Sequence, residues 1–386
     1  MRTLKLFLVV TFLIVLAGNL FCAELVDGKY ILGNQITVKS EILDQERQLL
    51  IYLPTGYEAA TAKYPVLYLL DGGYHFHHTT GIVQFLSGLG LMPQTIVVAI
   101  QNIDRNKDFL PTNNENVPTS GGGADFLSFI SDELIPFVDE EFRTTPYRIL
   151  VGHSFGGTFT AYAFLEKPEL FNAYIAISPV MQWDEDMLIT KADTALKTSY
   201  ETNKFFYMTL GNEPPYMSAI GKFVALVNAK FPKNLDFSYL HMPDENHGTI
   251  PHKTIYDGLE KLFNGWGLNR EIMAKGLEAI DEHYRKISQK YGYEVPTPEL
   301  TINQLGYNYL MRGEVETAIE VFLENVKRFP DSANVYDSLG DGYEANEQFE
   351  LAKINYAKAC ELANEDNPSL EVFKQNLKRM TEKLEK

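Results

Sequence analysis

The sequence predicts an α/β protein, a sheet covered by helices on both faces, followed by an all-helical C-terminal region. Three observations carry this. From residue 29 to 267, strand-like apolar runs alternate with helix-like segments, the pattern of a largely parallel sheet with both faces covered. The pentapeptide Gly152-His153-Ser154-Phe155-Gly156 directly follows the apolar run 147–151 and precedes a helical stretch, so it reads as strand, sharp turn, helix. Beyond residue 267, Leu305-Gly306-Tyr309-Ala318-Phe322 recurs as Leu339-Gly340-Tyr343-Ala352-Tyr356, a period of 34 residues.

Taken in order, Arg2 and Lys5 precede about a dozen apolar residues and then small or neutral residues as far as Ala23. This is the layout of a secretory signal peptide over residues 1–23, although Phe21-Cys22-Ala23 is a poor cleavage site. The protein is therefore expected to be secreted or periplasmic. Strands are predicted at 35–39, 47–52, 65–70, 95–100, 148–152, 173–178, 204–210 and 235–241, with helices at 124–140, 158–167 and 218–230. Residues 113–123, with Pro118, Ser120 and three successive glycines, form a polar loop too long for a tight connection. A charged amphipathic helix follows at 271–290, and Pro296 and Pro298 break it. The expected organisation is a sheet domain over 24–267, a connecting helix over 268–295, and helical repeats with a terminal helix over 296–386.

The composition, 45% hydrophobic and 22% charged, is that of a folded protein with ample core. A formal net charge of −17 argues against a nucleic-acid partner, which requires clustered Lys and Arg. Of the two cysteines, only Cys360 remains if the leader is removed, so no internal disulfide is expected to hold the fold.

The chemistry centres on Ser154. A serine hydroxyl needs an adjacent base to act as a nucleophile near neutral pH. On sheets of this kind the order along the chain is serine, then a carboxylate, then histidine, each at a strand end. His247, in Glu245-Asn246-His247-Gly248 after the last strand, is the candidate base. His241 and His252 are weaker rivals, and His153 sits inside the turn, where its side chain is expected to point away from the nucleophile. Glu213, ending the strand-plus-turn Leu210-Gly211-Asn212-Glu213, is the candidate third member, with Asp184 and Asp244 as rivals. An oxyanion would be met by the amides of Phe155, after the serine, and of Gly73 in Asp71-Gly72-Gly73, after an early strand. The cluster His75, His77 and His78 lacks zinc-ligand spacing, so no metal and no cofactor are expected.

Asp71-Gly72-Gly73, the turn at Ser154, Gly211-Asn212-Glu213 and Asn246-His247-Gly248 together resemble the Putative-esterase family of α/β-hydrolases, over residues 31–267. That family includes siderophore esterases, esterase-D-like S-formylglutathione hydrolases, feruloyl esterases and mycolyltransferases, and the siderophore-esterase branch is the nearest likeness. The resemblance implies an α/β-hydrolase sheet, serine hydrolysis of a small-molecule ester, Gly73 and Phe155 as oxyanion donors, and Glu213 as the acid. It also points to Trp183, after Ser178-Pro179, as a pocket residue, and to Arg105 and Asp108 as part of a family loop pattern that a salt bridge would equally explain. The 34-residue period is similar to tetratricopeptide repeats, whose surface suits a protein partner or self-association. Two other readings stay open: a thioesterase of the S-formylglutathione hydrolase type, or a repeat-based binding protein on an inactive hydrolase-like scaffold.

Overall fold

The computed structural model describes residues 31–386 except 59, 366 and 386. The expected signal peptide lies outside the described residues.

Eight strands form one sheet: β1 (Asn34–Ser40), β2 (Gln45–Tyr52), β3 (Tyr64–Leu69), β4 (Ile96–Ile100), β5 (Thr144–His153), β6 (Ala173–Ile177), β7 (Ser199–Leu210) and β8 (Lys233–His241). Their spatial order is β1-β2-β4-β3-β5-β6-β7-β8. β1 pairs with β2, and β2 with β4, antiparallel; every later pair is parallel. Each predicted strand is present, with ends moved by a few residues where the pairing partner continues.

The period-2 alternation of β3 explains why the sheet needs helices on both sides. Val66, Tyr68 and Leu70 point into one core, and Leu67 and Leu69 into the other. The helices are α1 (Gly72–Gly88), α2 (Arg105–Phe109), α3 (Gly123–Phe129), α4 (Ile135–Glu141), α5 (Phe155–Glu166), α6 (Trp183–Ala195), α7 (Pro214–Lys230), α8 (Ile250–Leu262), α9 (Arg270–Ala274) and α10 (Leu277–Tyr291). The first core is closed by residues of α3 to α7, and α5 is buried along almost its whole length. The helix expected at 124–140 is interrupted by a π-helical turn, Ile130–Leu134, just before Pro136. Proline has no amide to donate back to the preceding turn, so the chain widens there rather than breaking.

The second core begins under α1 and α8 and does not stop at residue 267. It continues through Ile280, Tyr284 and Ile287 of α10 into α11 (Glu299–Met311) and α12 (Val315–Arg328), through Ile302, Leu305 and Val321. Tyr147 of β5 meets Tyr291 of α10 edge to face at 5.4 Å. Helices α13 (Ala333–Ala345), α14 (Phe349–Leu362) and α15 (Leu370–Leu384) complete the all-helical region, α11 packing on α12, α13 on α14, and α15 on α14. The sequence period has a direct packing counterpart. A Cβ at Gly306 would run into the Phe322 ring, and one at Gly340 into the Tyr356 ring, so each glycine admits the aromatic 16 residues later.

Candidate active site

Two sharp turns stand side by side at the C-terminal edge of the sheet, one after β3 and one after β5, which are adjacent and parallel. In the second turn Ser154 has φ 59° and ψ −120°, a conformation that disfavours an L side chain. It is held there by its own amide, which donates to the Ile177 carbonyl at 2.8 Å. The turn is tight: a Cβ at Gly157 would stand 2.8 Å from the Ile177 carbonyl oxygen. Strain of this kind typically costs about 1–3 kcal/mol and concentrates where a side chain must be presented.

In the first turn Asp71 also has a positive φ, 54°, and Gly72 starts α1. Gly73 and Phe155 lie in the first turns of α1 and α5, where amides have no acceptor within their own helix. Among the described residues neither amide donates to a main-chain carbonyl. The positive ends of two helix dipoles thus face the same edge.

The two turns are bolted together. Arg105 Nε donates to Asp71 Oδ1 at 2.7 Å and its Nη2 to Asp71 Oδ2 at 3.1 Å, while Nη2 also donates to the His153 carbonyl at 2.9 Å. Asn102 adds a further bond to Asp71. The guanidinium lies over the rings of Phe109 and Phe155. The sequence suggested an Arg105–Asp108 salt bridge; that is not what forms. Asp108 instead makes a buried bidentate pair with Arg47 of β2, at 2.6 and 2.9 Å. Asp108 is buried against β2, where Arg47 meets it, whereas Arg105 is partly exposed and reaches the Asp71 turn.

Glu213 ends the turn after β7, at the N-cap of α7, and His247 lies in the turn after β8. His247 Nδ1 is hydrogen-bonded to Glu213 Oε1. The other carboxylate oxygen accepts from the Ser178 hydroxyl and, at 3.2 Å, from the Gly211 amide. The Glu213 side chain is 10% exposed and that of His247 41%, so the carboxylate lies beneath and the imidazole opens to solvent. Ser178, at φ 41°, had no role in the sequence reading; only the Ser-Pro pair after β6 hinted at a special turn. Of the rival carboxylates, Asp244 is exposed and Asp184 accepts a 3.4 Å bond from Asn114.

The His153 side chain lies against the candidate base. Its ring centroid is 4.4 Å from that of His247. This contact arises across the fold, from the return of the His247 turn over the end of β5. Trp183 is buried, meets Phe155 edge to face at 5.9 Å, and donates from Nε1 to Thr112 Oγ1 at 2.9 Å. It thereby ties the wall beside Phe155 to the base of the 113–123 loop. That loop is braced internally, with the Asn113 side chain donating to the Ser120 carbonyl and the Asn114 amide to Ser120 Oγ. Among the described residues no three His, Cys, Asp or Glu side chains gather as a metal site.

Residues 40–206 match the family model described as "Putative esterase". The chain is 29% identical over 164 residues to the ferri-bacillibactin esterase BesA of Bacillus subtilis, an alignment spanning 37% of this chain and 57% of that protein. It is 39% identical over 79 residues to a siderophore enterobactin esterase of Emericella nidulans, spanning 19% of this chain and 26% of the relative. The chain thus spans little more than half the length of the first of these curated relatives. Among solved structures, an IroE-like serine hydrolase from Shewanella oneidensis superposes with a TM-score of 0.67 at 26% identity, over 77% of this chain and 99% of that one. A protein of Capnocytophaga ochracea shares the fold over 90% of this chain and 99% of its own, with a TM-score of 0.62 at 18% identity. By its sheet, its family-model match over residues 40–206 and these relatives, the chain is similar to the esterase-like α/β-hydrolases.

Proposed function

We propose that the protein is a serine carboxylic-ester hydrolase working through an acyl-enzyme, with Ser154 as nucleophile, His247 as base and Glu213 as the carboxylate that orients it. The observation that carries this reading is the His247 Nδ1–Glu213 bond at the same sheet edge as a serine in a strained strand-to-helix turn. With Nδ1 engaged, Nε2 is the nitrogen left to take the Ser154 proton as the hydroxyl oxygen bonds to the ester carbonyl carbon. The oxyanion then accepts from the Gly73 and Phe155 amides. Collapse breaks the C–O bond of the ester, and the imidazolium gives its proton to the departing alcohol. Water, deprotonated by the same nitrogen, attacks the acyl carbon; the bond to the Ser154 oxygen breaks, the imidazolium returns the proton to that oxygen, and the acid leaves. No step calls for a metal or cofactor.

Names of relatives that are siderophore esterases favour a siderophore ester as substrate. The 34-residue helix pairs are read as tetratricopeptide-like repeats, on the strength of the glycine–aromatic packing at Gly306 and Gly340, and the protein as exported, on its N-terminal sequence. The test is direct. Ser154→Ala is expected to stay folded and lose both p-nitrophenyl acetate hydrolysis and labelling by a fluorophosphonate probe; unchanged turnover in that variant sinks the reading.

A further inference from the structure

Five of the eight histidines form one continuous cluster at the catalytic edge, drawn from three separate parts of the chain. His153 ends β5, His75 and His78 lie one turn apart on α1, His247 sits in the turn after β8, and His252 lies on α8. The ring centroids run 4.4 Å from His247 to His153, 5.5 Å from His153 to His75, 5.2 Å from His75 to His78, and 5.4 Å from His78 to His252. His75 Nδ1 and His78 Nε2 share a hydrogen bond at 3.0 Å.

The His247 ring is held on one edge by Glu213 and touched at 6.1 Å by Tyr216 of α7. The His153 ring, tilted by 44°, stands beside it. The charged groups near that ring are Arg105, which bonds the His153 carbonyl, and Asp71, which Arg105 neutralises. His153 is the last residue of a central strand, paired in register with Ile177, so its ring is aimed by the sheet. His247 is carried on a turn. A residue on a rigid element that supports one on a loop is how a catalytic group is held to the tolerance it needs. Burial lowers the proton affinity of the supporting rings, His153 to about 3 and His78 to about 4, with His75 lowered as well. They are therefore neutral at neutral pH. His153 Nε2 is buried without a partner, while the ring also hydrogen-bonds the main chain of His247 itself, so ring contact and main-chain bond act on the same turn.

We propose that His153 is a positioning residue for His247: its neutral ring, backed by His75, fixes the plane in which the imidazole meets Ser154 and leaves the imidazolium formed during acylation without a like charge beside it. This rests on the reading of Ser154 and His247 as nucleophile and base.

The experiment compares wild type with His153→Phe, His153→Ala and His153→Lys, measuring kcat, KM and the acid limb of the pH–rate profile on a p-nitrophenyl ester. Circular dichroism melting follows the fold. His153→Phe keeps a neutral ring and is expected within about threefold of wild-type kcat. His153→Ala removes the support and is expected to lower kcat at least about tenfold with KM nearly unchanged, since small misplacements of reacting groups are costly. His153→Lys sets a charge against the imidazole and is expected to lower kcat by about a hundredfold and shift the acid limb to lower pH. If the lysine variant does not fold, His75→Lys sets the charge one ring further away and is expected to shift the acid limb the same way by less. The proposal is overturned if His153→Ala turns over at the wild-type rate, if phenylalanine is as damaging as alanine, or if neither lysine variant moves the acid limb. Absence of turnover and of fluorophosphonate labelling in the wild type would instead overturn the esterase reading beneath it.

Discussion

Ser178 donates its hydroxyl to Oε2 of Glu213, the carboxylate oxygen that His247 does not use. A carboxylate held by donors on both oxygens cannot swing away when the imidazole moves, and a hydrogen bond to a charged group is worth about 1.5–3 kcal/mol. Ser178→Ala is therefore expected to lower kcat by about ten- to a hundredfold while leaving KM almost untouched. Steady-state kinetics on a p-nitrophenyl ester checks this; a variant with wild-type kcat would show that the Gly211 amide suffices.

Replacing Glu213 by Gln tests the tautomer argument. An amide can offer its N–H to Nδ1 and so favour the wrong tautomer, and in serine hydrolases an isosteric change of this kind costs about 10⁴-fold in kcat. Glu213→Gln is expected to fall by about 10³- to 10⁴-fold with its melting temperature close to wild type.

Arg105 ties the Asp71 turn to the His153 carbonyl through a forked guanidinium that an ammonium cannot copy. Arg105→Lys should lower kcat about tenfold or more through a misplaced Gly73 amide. The loss should exceed that on KM, and a comparison of the two constants decides the point.

The buried histidines make the fold acid-sensitive. His78 and His153 bind protons less well in the folded chain, at about 4 and 3, than the ordinary value of 6.5. A group whose folded value is depressed in this way destabilises the fold as pH drops, because the unfolded chain takes up the proton first. The loss begins as pH falls through about 6.5 and is complete only below the folded values. Urea melts at pH 7 and pH 4 should differ accordingly, and a double His78→Gln, His153→Phe variant should narrow the gap.

In the helical region, Gly306→Leu and Gly340→Leu each force a side chain into an aromatic ring already in place. Overpacking typically costs about 1–3 kcal/mol, and more where nothing can shift. Both variants should melt lower than wild type, Gly306→Leu by more, because α11 also belongs to the sheet's second core.

Much of this was legible from the residues. β3, β4 and β6 lay in short apolar runs, because a strand buried on both faces has no polar positions to blur the signal, while the edge strands β1 and β8 showed as apolar residues alternating with polar ones. Ser154, His247 and Glu213 could be singled out because each sits where a strand pattern ends. What could not be read were relations across the fold. Ser178 looks like any serine before proline until β6 and β7 lie side by side. His153 acquires a neighbour only when the turn after β8 folds back over the end of β5. The partners of Arg105 and Asp108 depend on which way a single helical turn faces, and the five residues of α2 carry no periodicity from which to judge it.

The second hydrophobic core, passing without interruption from Leu67 and Leu69 through Ile280 to Leu305 and Val321, has a practical corollary. A shortened chain ending near residue 267 would bare oily surface on the back of the sheet, so the catalytic half should not survive as a free-standing fragment. Fusions and affinity handles belong after α15, and any inserted sequence between α8 and α11 would wedge the molecule open along its own seam.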